Sequence, residues 1–190
     1  MNLVEVVNTT RTQVDEELVA RLVATVLEAE GVLGAEVAVA FVGEARIRAL
    51  NREHRGKDEI TDVLSFPLED WDDDGEPAGH DPRAVSAPSA GVSAAASPAP
   101  DLGEVAAAVV TGEAGPPLML GDVVICARQA LRQARADALP AAFEIAVLLA
   151  HGTLHLLGYD HETDAGQMAL RQAEVLELVD WEDLVVAASR

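Results

Sequence analysis

The sequence predicts a layered α/β (α+β) domain: a small mixed sheet of about four strands packed with helices. Three observations carry this. At 190 residues the chain suits one domain of ordinary size. Short apolar or alternating segments recur between longer segments with helical periodicity. The third is that no uncharged apolar stretch reaches the ~18 residues of a membrane span, and the single Cys126 cannot form an internal disulfide.

Taken in order, residues 3–7 read as a short strand, and residues 12–30 as an amphipathic helix with Val14, Leu18, Leu22 and Val26 at spacing four before the stop at Gly31. Residues 36–42 alternate as a strand, residues 44–52 form a short helix, and residues 62–68 are apolar enough for a buried strand. A further strand is expected at 118–126 and a helix at 128–135. Pro140 opens a longer, almost wholly apolar helix running to about Leu157, and residues 164–179 form the last one. Strand order does not follow from the pattern.

Residues 70–117 differ from the rest. They hold Asp72-Asp73-Asp74, most of the prolines, and Ala, Ser and Gly at most other positions, a composition that buries too little to offset its ordering entropy. The expectation is one domain over residues 1–190 with a disordered acidic Pro/Ala-rich insert at 70–117, a loop expansion between two strands. The insert supplies −8 of the −20 net charge, so the body is acidic too. Such a balance argues against a non-specific binder of nucleic acid, DNA included, or of anionic membrane, which needs Lys and Arg to neutralise phosphate. Any RNA contact has to be local. With no secretory signal in the first residues, the expected compartment is the cytoplasm.

The informative stretch is His151-Gly152-Thr153-Leu154-His155-Leu156-Leu157-Gly158-Tyr159-Asp160-His161. On a helix, His151 and His155 stand about one turn apart and share a face. A helix continued through His161 would turn that residue away. Gly158 can adopt the left-handed conformation of a helix C-terminus and bring the chain back. Three neutral imidazoles with no fourth protein ligand describe an open tetrahedral zinc site, one ion per chain, whose fourth position holds water, and hydrolysis is the natural reaction class. A lone histidine in an apolar helix is usually a hydrogen-bonded core residue. Three of the five histidines within eleven residues make that reading strained. Asp160 could accept an imidazole N–H or simply cap the turn, and Asp62 could support a ligand or start its strand. Metal occupancy is expected to fall as the pH drops below the imidazole pKa of about 6.5.

In zinc peptidases of the H-E-x-x-H type the residue after the first histidine is the catalytic Glu, and here it is Gly152. Basic residues cluster instead: Arg46, Arg48, Arg52, Arg55 and Lys57 are five of thirteen. A guanidinium fork binds phosphate and stabilises charge developing at phosphorus, which suggests a phosphodiester substrate. Arg128, Arg132 and Arg135 form a second stripe, better read from sequence as a solvated helix face.

Two motifs resemble the YbeY family of bacterial rRNA maturation factors: the histidine stretch above, and Arg55-Gly56-Lys57-Asp58-Glu59-Ile60-Thr61-Asp62-Val63-Leu64-Ser65-Phe66-Pro67. Leu120-Gly121-Asp122-Val123-Val124-Ile125 supports them, and the likeness covers the chain apart from the insert. The resemblance implies a zinc-dependent endoribonuclease in which His151, His155 and His161 bind Zn2+ and Arg55 is the arginine needed for cleavage. It also implies single-stranded RNA as substrate, 16S rRNA 3′-end maturation and ribosome quality control as the role, and the ribosome or small-subunit proteins as partners. The sequence departs from the family in its long insert and in His54, where an aromatic residue often precedes the arginine. A zinc metallopeptidase, and a non-catalytic ribosome-assembly factor with a structural zinc, stand as alternatives.

Overall fold

The computed structural model describes residues 1–68, 118–161 and 164–185, so the segment expected to be a loop expansion, 70–117, lies outside the described residues. The elements run β1 (Leu3–Asn8), α1 (Glu16–Ala29), β2 (Ala35–Phe41), α2 (Glu44–Arg55), β3 (Val63–Pro67), β4 (Leu118–Ile125), α3 (Ala127–Ala136), α4 (Ala141–Leu156) and α5 (Gln167–Leu176). The four strands form one mixed sheet in the order β1-β2-β4-β3. Strands β1, β2 and β4 are mutually parallel, and β3 runs antiparallel to β4 with Val63 opposite Ile125. The carboxyl ends of the three parallel strands therefore share one edge, and the start of β3 meets them there. At that edge the Cys126 N–H donates to the Asp62 carbonyl at 2.7 Å.

The alternation expected of β2 is what it buries: Ala35, Val37, Val39 and Phe41 enter the main core against α1 and α4. Residues of the opposite parity on β3 and β4, Leu64 and Val124, join Ile47 of α2 in a second cluster on the other face. Helix α4 is buried nearly all round, as its apolar sequence requires, with Ile145, Leu149, Leu154 and Leu156 fully enclosed. Enclosing each such side chain contributes about 1.5–3 kcal/mol.

Two helices start later than the pattern predicts, for one reason. The Asp15 carboxylate accepts the N–H groups of Glu17 and Leu18, so α1 begins at Glu16, and Val14 lies outside it, bridged to Val185. Asp164 likewise accepts from Gly166 and Met168, and α5 begins at Gln167. In both cases capping of the first-turn donors overrides apolar periodicity.

Candidate metal centre

The end of α4 is built as the spacing requires. Gly158 sits at φ 85°, its N–H donates to the His155 carbonyl, and the Tyr159 N–H donates to the Leu154 carbonyl. This pair of bonds closes the last turn and reverses the chain. The reversal places His161 beside the other two imidazoles, with ring centroids 4.6 Å apart for His151 and His155 and 5.1 Å from each of them to His161. One ligand atom from each of the three lies within 4.8 Å of the others.

The ring orientations are set by acceptors outside the motif. His151 Nδ1 donates to Gln172 Oε1 at 2.9 Å, and His155 Nδ1 donates to the Tyr159 carbonyl at 2.8 Å. A carbonyl oxygen can only accept, so each Nδ1 carries the proton and each Nε2 presents a lone pair. Those two Nε2 atoms face each other at 3.1 Å. Two lone pairs at that distance repel unless a positive centre lies between them, and two nitrogens of a tetrahedral zinc site stand about 3.3 Å apart. The donor set therefore fits a divalent cation. Burial lowers the pKa of His151, and burial followed by the charge of His151 pushes His155 down to about 4, so both stay in the neutral, ligating form. His161 is exposed and leaves the site open on its side.

A buried network holds the supporting acceptors. Glu30, at the end of α1, is buried; it accepts from the Tyr159 hydroxyl at 3.0 Å and pairs with Arg171, which also donates to the Ala29 carbonyl at 2.7 Å. Tyr159 carries the acceptor for His155, and Arg171 neighbours Gln172 on α5. Burial and the Glu30 carboxylate raise the Tyr159 hydroxyl to about 12, which keeps it a donor. Sequence reasoning found neither Gln172 nor Glu30. Nothing in the histidine motif points to residues on other helices, although a Glu following the apolar run at the end of α1 was a visible oddity.

Gly152 is explained by packing. A Cβ there would meet Val123 Cγ1 at 2.6 Å, and the Gly152 carbonyl accepts from Ser65 Oγ at 3.2 Å. The position faces the sheet, so a carboxylate could neither fit nor reach the histidines.

The remaining expected residues gather near the same end. Asp160 acts on His155 through its charge, as Asp62 and Arg55 do on His151. Burial pushes the Asp62 carboxyl up, but bonds from Gln133, Thr61 and the Val63 N–H outweigh it and hold it below its usual range. Glu144, two turns before His151 on the same face of α4, is raised by burial and by the charges of Asp62 and Asp137. Arg48 is held by both Asp58 oxygens, at 2.9 and 2.8 Å, whereas exposed Arg55 has no ion-pair partner among the described residues. Beside it His54 packs edge-on against Phe66 at 4.8 Å, the contact an aromatic residue would make.

Residues 5–180 match the family described as Endoribonuclease YbeY. The chain belongs to the YbeY family. It is 38% identical over 160 residues to Endoribonuclease YbeY of Thermoanaerobacter sp. (strain X514), covering 84% of this chain and 82% of that protein. The corresponding protein of Moorella thermoacetica is 39% identical over 169 residues, 86% of this chain and 87% of that one. Against the protein of that name from Anaeromyxobacter sp. (strain Fw109-5) the identity is 40% over 169 residues, 88% of this chain but 65% of the relative's length. In fold, the chain is similar to the solution structure of TM1509 from Thermotoga maritima, with a TM-score of 0.51 and 22% identity over 92% of this chain and 87% of that one.

Proposed function

We propose that this chain is a metal-dependent endoribonuclease that cuts single-stranded RNA, with zinc as the cation held by His151, His155 and His161. The observation that carries it is the pair of Nε2 lone pairs turned on one point, with the third imidazole brought back to it by Gly158. Family membership supports the same reading. Bound there, the cation supplies Lewis-acid activation for phosphodiester hydrolysis. The chain's own part is orientation and charge. Gln172 and the Tyr159 carbonyl hold the protons on the two Nδ1 atoms, and Arg55 offers an uncommitted guanidinium to the scissile phosphate and to the charge that builds on it. Asp62 and Asp160 tune the imidazoles through their charge.

Maturation of the 16S rRNA 3′ end and ribosome quality control, in the cytoplasm and against the small ribosomal subunit, complete the proposal. Among the described residues no helix is long and apolar enough to cross a membrane, which suits that setting. Gly152, packed on Val123, speaks against a peptidase. Removing metal by chelation should abolish cleavage of an unstructured RNA, and zinc should restore it. Cleavage that persists in fully chelated protein contradicts the proposal.

A further inference from the structure

At the edge where β1, β2 and β4 end lies a groove of about 550 Å³ that the histidine site does not use. Its lining includes Arg11, Arg128 and Arg135 together with Thr9, Thr10 and Thr12. In a chain with thirteen basic residues and a net charge of −20, three arginines gather on this one groove. Glu44 is the one acid among the described lining residues. It is engaged by Arg128 at 3.5 Å and by Arg132, so two of the three arginines, Arg11 and Arg135, have no ion-pair partner among the described residues.

The loop that carries Arg11 is braced. Asn8 Nδ2 donates to the Thr12 carbonyl at 2.8 Å, Asn8 Oδ1 accepts from both the N–H and the hydroxyl of Thr10, and Thr9 Oγ1 donates to the Phe41 carbonyl. Gly43, which starts α2 without a side-chain cap, opens the positive end of that helix onto the groove. The carboxyl edge of a parallel sheet is also where open α/β folds seat ligands. Arg128, Leu131 and Arg135 share one face of α3, while Gln133, about half a turn round, reaches Asp62 on the histidine side. One helix, about 10–12 Å across, thus separates the two places.

The geometry points to this groove as a second anchor for single-stranded RNA, holding backbone phosphates outside the cleavage site with Arg11 and Arg135. The inference rests on the ribonuclease reading and deepens it. Each phosphate neutralised on a single strand contributes about 0.7 to the slope of log affinity against log salt.

The test is binding of a labelled 2′-O-methyl RNA, long enough to span both places, to the zinc-loaded full chain across a salt series. The wild type is compared with the Arg11→Ala/Arg135→Ala double variant and with Arg21→Ala on α1, and cleavage of the unmodified RNA is followed in parallel. The double variant should bind about tenfold or more weakly at low salt, with a slope smaller by about 1.4, and Arg21→Ala should stay within about twofold of wild type. RNA bound and cleaved as before, with the double variant matching Arg21→Ala, overturns the groove alone. Failure of the wild type to bind or cut RNA sinks the ribonuclease reading and the groove with it. Inorganic phosphate that binds the wild type but not the double variant, while the RNA curves of the two coincide, assigns the groove to a free phosphorylated ligand and overturns an RNA anchor.

Discussion

The histidine site and the arginine-bearing end of α2, whose Arg55 acts on His151 through its charge, are built in opposite ways. On the histidine side the orienting contacts of His151 and His155 are part-buried and end on fixed acceptors: His151 on Gln172, His155 on the Tyr159 carbonyl, and Tyr159 in turn on Glu30. On the arginine side the ion pair of Arg48 with Asp58 is half exposed, and Arg55 stands at the end of α2 with no such partner among the described residues. A cation site needs its donors held in register before the ion arrives, which calls for a rigid second layer. A group that meets a flexible polyanion gains from being unpaired in the free protein, since no ion pair has to be broken first. The region therefore sets two preorganised imidazoles beside an uncommitted arginine.

This contrast can be broken from either side. The largest effect is expected from Arg55→Ala, which should lower cleavage of unstructured RNA by about 10²–10³-fold, the loss typical of removing one charge-stabilising donor, while metal analysis still finds the ion. If metal is lost along with activity, the histidine site and Arg55 are not separable. Next comes Glu30→Ala, which leaves Arg171 only Glu174 and the Ala29 carbonyl and takes the acceptor from the Tyr159 hydroxyl; losing these two bonds to a buried carboxylate costs about 3 kcal/mol. In a chain of this size that appears as a fall of roughly 6–12 °C in melting temperature. An unchanged melting curve would show that the network does not brace the fold. The smallest change is expected from Gln172→Ala, which should weaken metal binding about 10–100-fold and leave the fold intact, as read by competitive zinc titration and circular dichroism.

Much of this was legible beforehand because the relevant signals are local. The spacing of His151 and His155, the left-handed turn at Gly158 and the apolar run of α4 each act within a few residues, and each appears where expected. Helix starts were displaced at Asp15 and Asp164 because one carboxylate capping a first turn outweighs a periodic apolar residue such as Val14. The order β1-β2-β4-β3, the supporting pair Gln172 and Glu30, and the groove shared by Arg11 and Arg135 depend on contacts between distant segments. The acid limit of the metal site also moves. Free imidazoles predict loss of metal below about 6.5, but burial lowers His151 and takes His155 to about 4. In the metal-free chain the unfolded His155, at 6.5, binds a proton that the folded residue refuses until about 4, so stability falls as the pH drops through that window.

The most direct test of the account is zinc titration of the metal-free full chain at neutral pH, repeated stepwise into acid and with His155→Ala. One ion per chain is expected, half-released at a pH below 6.5 because two of its ligands resist protonation, and lost in the variant. Zinc bound as tightly by His155→Ala as by the wild type would contradict a site made of these three imidazoles.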